Sequence, residues 1–365
     1  MAFEGLGLLV GMIVGVGMFA MPYSVVSAGV LLSLFYFLLA GGIVTIFHTL
    51  YGHVLFYHPE RKRLPGYIRE YFGTTAYYAA FLSRFLSYFG YLLAYGVLAG
   101  LLLSHIIPIS SPNLTILFFI VSGALFLLKP KRADTLNAWL AAALSGFIII
   151  LFLVLAPRLH FENIPIYATT TDWFLPYGIF LFAFSGASVI PEVVDVFKKR
   201  SRRLFSQTVL AATLLVGFLY LLFVLSIVGI AGRGVSPDAL GSLRASGGEA
   251  LFAIGIVIGI LAVVTSYFAL GRELIFTFEY DASLTPTFSW LATALGPPVL
   301  FLLGINNFIL ILGFVGAVGV GIEGILILLL ARRVLHTNLF LVSLLLAFLV
   351  AGALLEVASA FHVFK

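Results

Sequence analysis

Apolar residues fill this chain in runs of about twenty, parted by short polar interruptions. A helix that crosses a bilayer needs about 20 mostly apolar residues. By that measure the runs predict eleven helices, at 5–29, 30–57, 74–104, 113–129, 135–157, 173–197, 205–231, 249–279, 286–304, 306–330 and 337–361. The ninth is interrupted by "GPPV", Gly296 to Val299. The longest polar stretch, 232–248, is too short for a soluble domain. No small-residue cleavage site ends a short apolar core, so the first run is expected to stay as a membrane helix.

Composition points the same way. Hydrophobic residues make up 62% of the 365 and charged residues 10%, against about 25% charged in soluble domains. Mean hydropathy is +1.16. The chain reads as an all-α polytopic membrane protein, one transmembrane domain over 1–365. The net charge of +5 fits basic cytoplasmic loops, not a nucleic-acid partner. No Cys is present, which excludes disulfides and thiolate metal sites.

Lys and Arg set the direction of threading. With the N-terminus inside, the cytoplasmic loops hold Arg61, Lys62, Arg63, Arg69, Lys129, Lys131, Arg132, Lys198, Lys199, Arg200, Arg202, Arg203, Arg332 and Arg333. The opposite loops hold only Arg158, Arg233, Arg244 and Lys365. This bias predicts a multi-pass cell-membrane protein with a cytoplasmic N-terminus and an extracellular C-terminus.

Helix breakers fall at mid-membrane in two places. "GMIVGVGMFAMPYSVVSAG" (11–29) puts Gly15, Val16 and Gly17 at the centre of the first run. "FAFSGASVIPE" (182–192) puts Ser185 and Gly186 at the centre of the sixth, with Pro191 beyond. Runs one and six lie five apart and so cross in opposite directions. That is the pattern of a 5+5 inverted repeat (5–157 and 173–330) with helix 11 (337–361) appended, and matched broken helices point to a transporter's binding site. Gly11-x-x-x-Gly15 also fits a close helix-packing motif. A break frees N–H groups that attract anions and C=O groups that attract cations. An amino acid carries both charges. Its carboxylate is expected on the N–H groups of Gly15, Val16 and Gly17, and its ammonium on the carbonyls of Ala183, Phe184 and Ser185.

Other residues stand at similar depths. Thr265 and Ser266 lie at the middle of the eighth run. With carbonyls of Gly11, Val14 and Ala262 they form a hard oxygen set that suits Na⁺. Equally, their hydroxyls can return to their own helix. Tyr88, Tyr91 and Tyr95 share one face of the third helix. Tyr88 and Tyr91, with Phe184 and Met18, would line a pocket for a neutral, apolar or aromatic side chain. Arg84, Glu192, Arg272, Glu273 and Glu323 lie five to nine residues inward of their midpoints, roughly 8–14 Å at about 1.5 Å per residue. His48 sits at a similar depth. Intramembrane charges are functional candidates by default. Two readings fit: an inner gate pairing Arg84 or Arg272 with Glu192 or Glu323, or static ion pairs. A Glu or His48 is also a candidate carrier for a coupling proton.

These motifs resemble the amino acid/auxin permease family of the amino acid–polyamine–organocation superfamily, with its hydroxy- and aromatic-amino-acid permeases nearest in pattern. "GMIVGVGMFAMPYSVVSAG" is similar to the first-helix pattern. "FLFAFSGASVIPEV", "AVVTSYFALG" and "ALGPPVLFLLGINNFILILGFVGAVG" are similar to the sixth, eighth and ninth-to-tenth. The resemblance implies the leucine-transporter (LeuT) fold, alternating access and amino acid substrates. It implies a Na⁺ site of Gly11, Val14, Ala262, Thr265 and Ser266, with no other cofactor. Three departures stand out. Met18 replaces the Asn of a first sodium site, the fifth run has no Lys to stand in for sodium, and the N-terminal inner-gate Arg has no counterpart beside Glu4.

The sequence therefore predicts a symporter of amino acids, driven by Na⁺ or H⁺. The alternative on the same fold is a nontransporting amino acid sensor or a facilitator. An intramembrane enzyme is disfavoured, because the seven His are scattered and no H-E-x-x-H or G-x-S-x-G motif occurs. The expected partners are an amino acid and the bilayer. Nothing in the sequence specifies an oligomer, and a monomer suffices.

Overall fold

A computed structural model describes residues 2–58, 62–127, 133–168, 170, 172–197, 201–246, 248–280 and 282–363. All regular structure among them is helical. The first apolar run is α1 (Ala2–Ile13) and α2 (Gly17–Ala28), bent by 60° at 14–16. Then come α3 (Val30–Tyr57), α4 (Leu64–Ser104), α5 (Ser111–Leu125) and α6 (Ala133–Leu155). The sixth run is α7 (Leu175–Phe184) and α8 (Ile190–Val196). It is followed by α9 (Arg202–Ala231), the short α10 (Gly241–Ser246), α11 (Glu249–Tyr280) and α12 (Pro286–Leu302). The tenth run is α13 (Phe308–Phe314), a π-helical segment (Val315–Val320) and α14 (Gly321–Leu335). Last is α15 (Leu339–Val363).

Local chemistry sets several of these bounds. The side chains of Ser201, Thr285 and Asn307 accept from Leu204, Phe288 and Leu310 N–H groups and start α9, α12 and α13. Gly29 turns α2 into α3 with φ 78°, and a Cβ there would overlap the backbone of Tyr167. Glycine is therefore required for both conformation and space. Gly73, with φ 85°, kinks α4 at the point where the third run was expected to begin. The helical segment Leu64–Phe72 ahead of it was not foreseen.

Among the described residues, eight helices are long and apolar enough to cross a membrane, or nine with the bent α1–α2 pair as one span. The fourth and ninth predicted spans are helices of only 15 and 17 residues. Length alone therefore does not carry the count of eleven crossings. The ninth run stays helical through "GPPV", since α12 contains Pro297 and Pro298. One expectation needs correction. The tenth run, expected as one plain helix, contains the π segment. Single π turns recur at functional sites.

The two broken runs sit at the centre of the bundle. Every residue of α7 is buried, and α7 packs on α2, α3, α13 and the π segment. Glycines set the closest of these approaches. Gly178 lies against the Gly313 carbonyl, and Gly316 against the Gly178 carbonyl. These neighbours are backbone and cannot rotate away. Gly316→Ala is therefore expected to cost about 1–3 kcal/mol or more. A Cβ on Gly42 would meet nothing within 4 Å, and Gly42→Ala should add about 0.5–1 kcal/mol of helix stability. Thermal unfolding in detergent checks both, and equal melting temperatures for the two variants would refute this packing.

Candidate functional site

The helix leaves its α-helical path at Val14 and resumes at Gly17, so several backbone groups near mid-bundle lose their helical partners. No acceptor among the described residues meets the N–H groups of Val16 and Gly17. The sixth run breaks differently. After Phe184 the chain turns extended at Ser185 (φ −63°, ψ 137°), and Gly186 follows at φ −164°. No donor among the described residues meets the carbonyls of Phe184 or Ser185. Each break thus leaves unpaired backbone groups, among them donors at Val16 and Gly17 and acceptors at Phe184 and Ser185.

The breaks abut. A Cβ on Gly17 would lie 2.7 Å from the Cα of Ala183. Tyr220 of α9, fully buried, ties them together. Its hydroxyl lies 2.7 Å from the Ile13 carbonyl and 2.9 Å from the Ala183 carbonyl, and donates its single hydrogen to one or the other. The carbonyl of Ala183, expected to meet an ammonium, thus shares the Tyr220 hydroxyl with Ile13. Tyr220 had no signal in the sequence, being one tyrosine in a run that stays helical throughout. Gly15 differs from Gly17. A Cβ on it would meet nothing nearer than the Ile13 carbonyl oxygen at 3.9 Å. Close helix packing therefore does not explain Gly15.

A cavity opens between the breaks. Gly15, Val16, Gly17, Tyr88, Tyr91, Ala183 and Ser185 all line it, as does Tyr95. Met18 and Phe184 do not. Met18 is fully buried in the core, and Phe184 packs its ring on Phe37 and Tyr220. Phe182 takes the wall position expected of Phe184 and packs on Tyr91 and Tyr95. The two phenylalanines are two residues apart, about 200° around a helix, and so face opposite ways.

A second, smaller cavity shares Tyr88, Tyr91 and Glu323 with the first and extends to Leu64 and Pro65. An ion network stands along it. Arg84 lies 3.4 Å from Glu273 and 3.9 Å from Glu323, and donates to the Tyr88 hydroxyl at 3.0 Å. Arg63 donates to the same Glu273 oxygen at 2.7 Å and to Thr277 at 2.8 Å. Of the expected pairs, Arg84–Glu323 is present. Arg272 is not part of it, because its guanidinium stacks on Phe276 of its own helix. Glu192 makes none of these ion pairs with Arg84, and Glu273 occupies that role. His48 lies elsewhere, at the sixth-run break. The Gly186 N–H donates to its Nε2 at 3.2 Å. An imidazole that accepts at Nε2 carries its hydrogen on Nδ1, and that buried atom has no partner among the described residues.

The expected sodium ligands lie on separate helices. Thr265 donates its hydroxyl hydrogen back to Leu261 at 3.0 Å and Ala262 at 3.2 Å. Helix α11, which carries Ala262, Thr265 and Ser266, packs mainly on α4, α6 and α12, whereas Gly11 lies on α1 and Val14 at its end. On the far side of the bundle, the loop before α10 is pinned to the end of α4. His105 Nε2 lies 2.6 Å from Asp238, which also accepts from Ser236 and Gly241. Burial pushes the Asp238 carboxyl up, but these bonds outweigh it and hold the carboxyl below its ordinary range.

Paired helix breaks facing one central cavity define a polytopic carrier of the LeuT fold. The whole-chain comparisons agree. The structure is similar to that of Mhp1, a nucleobase-cation-symport-1 family transporter, in a closed conformation with bromovinylhydantoin bound. The TM-score is 0.64 at 13% identity, over 99% of this chain and 92% of that one. Mhp1 in an inward-facing conformation matches at 0.62 and 13%, over 91% and 76%. MhsT in complex with L-phenylalanine matches at 0.62 and 13%, over 96% and 98%. No curated protein matches the sequence. A family model described as "Transmembrane amino acid transporter protein" matches residues 2–321. The chain belongs to that family, in keeping with its amino acid/auxin permease motifs.

The network makes a prediction of its own. Among the described residues Glu273 bridges Arg63 and Arg84, so Glu273→Gln should loosen the loop-side end of α4. Faster hydrogen exchange over 62–72 is the expected readout. Unchanged exchange there would show that the network does not hold this end of the bundle.

Proposed function

We propose that the protein is a secondary transporter of neutral amino acids, working by alternating access and driven by Na⁺ or H⁺. One observation carries this reading: two helix breaks with unpaired backbone groups meet at one cavity. Val16 and Gly17 offer N–H groups to a carboxylate, and Ser185 offers a carbonyl to an ammonium. The aromatic wall of Tyr88, Tyr91, Tyr95 and Phe182 receives an apolar or aromatic side chain. MhsT, of similar fold, was solved with L-phenylalanine, which supports a substrate of this class.

In this reading the Arg63–Glu273–Arg84–Glu323 network is the inner gate, at the cytoplasmic side given by the Lys and Arg distribution. His48 steadies the α7 break through Gly186. Gly11, Val14, Ala262, Thr265 and Ser266 form a Na⁺ site only if α1 and α11 approach during the cycle.

Reconstituted protein with a panel of labelled amino acids, under separately imposed Na⁺ and H⁺ gradients, tests the function. Accumulation of a neutral amino acid is the expected result, and accumulation of none under either gradient would overturn it. Gly15→Val should fold, since its Cβ has space, yet raise the half-saturating substrate concentration at least about tenfold, or 1.4 kcal/mol. Combining Thr265→Val with Ser266→Ala should abolish any Na⁺ dependence. Unchanged Na⁺ dependence in that variant would remove the Na⁺ site from these residues.

A further inference from the structure

The carboxyl group of Glu356 has no part in the site above. It is the one acidic or basic residue in α15 apart from His362, and it is only 8% exposed. Its Oε1 lies 3.1 Å from where a Cβ of Gly313 would stand. It therefore faces inward, onto the last residues before the π segment, with Leu175 of α7 on the same spot. No Lys, Arg or His among the described residues pairs with it.

The elements packed on α15 are α14, α13, the π segment and α7. Helix α13 and the π segment carry no titratable group. On α14, Glu323 faces Arg84, Arg332 donates to the Thr337 carbonyl, and Arg333 is exposed. On α7 the neighbour is Tyr177, whose ring fits against Gly352 and whose hydroxyl donates to the Phe348 carbonyl. Tyr36 packs on Tyr177 in turn. Among the described residues no cation is in place to balance an ionised Glu356. An unpaired buried carboxylate costs several kcal/mol, whereas a protonated one is a neutral group with a hydrogen to donate.

Position gives this proton a mechanical consequence. Glu356 sits where the first half of the sixth run rests on α13, beside the Gly178–Gly313 contact. That half-helix, α7, leads directly into the break that lines the central cavity. Ionisation of Glu356 would call water into this seam and disfavour the packed arrangement. Protonation restores it.

We infer that Glu356 is a proton-binding site that couples the position of α7 to a proton gradient, a reading that rests on the transporter function proposed above. Only an O–H bond forms and breaks: the carboxylate takes a proton from water when the seam is open and returns it when the seam next opens.

The test uses full-length protein in proteoliposomes. Glu356→Gln mimics the neutral form. It should still exchange labelled for unlabelled substrate with no gradient present, yet lose accumulation driven by a pH gradient. Accumulation equal to the wild type would overturn the inference. Infrared spectra read the proton without transport. A pH-sensitive carboxylic acid band should be present in the wild type, absent in Glu356→Gln and retained in Glu356→Asp. No difference between wild type and Glu356→Gln would likewise overturn it. A wild type that carries no substrate would sink the transporter reading instead, and the infrared comparison would still decide Glu356.

Discussion

Backbone polar groups inside a bilayer must find partners within the protein, and the structure turns on two places where the helix denies them. A continuous helix satisfies its own N–H and C=O groups. The first and sixth apolar runs do not, and each leaves unmatched groups near the centre of the bundle. Such groups persist only where protein or a ligand meets them. Tyr220 reaches a carbonyl of each break with its one hydroxyl, and His48 accepts the Gly186 N–H. Val16, Gly17 and Ser185 line the cavity.

Everything around the breaks serves to hold them in place. Gly17 lets the first approach the Ala183 backbone. Gly178, Gly313 and Gly316 seat α7 against the π segment, and His48 accepts the amide of Gly186. The loop-side network of Arg63, Glu273, Arg84 and Glu323 joins α4 to α11 and α14 beside the second cavity. These are partly exposed pairs, so their worth lies in which helices they join more than in their strength. The geometry suits a molecule whose two halves move about a fixed central site.

Much of this was legible in the sequence, for a physical reason. Hydropathy and the Lys and Arg bias are set by the bilayer, which acts on every span alike. Breakers at mid-depth are conspicuous because a membrane helix tolerates them only with a purpose. Seven of nine expected substrate residues line the cavity. The misses, Met18 and Phe184, lie beside breaks, where helical periodicity no longer tells which face a residue presents. Glu273 and Tyr220 were missed as partners because contacts between distant helices leave no local trace. The π segment was equally hidden, since its residues satisfy the same hydropathy as an α-helix. Glu356 carried a signal that was passed over: a lone carboxylate in an otherwise apolar span.

The central claim is that the amino acid carboxylate lies on the amides of the first break and its ammonium on a carbonyl of the sixth. A structure solved with a transported amino acid bound tests this most directly. The account predicts carboxylate oxygens within hydrogen-bonding distance of the Val16 and Gly17 nitrogens, and the ammonium against the Ser185 carbonyl. A substrate seated elsewhere, or reversed so that its ammonium meets the first break, would contradict it.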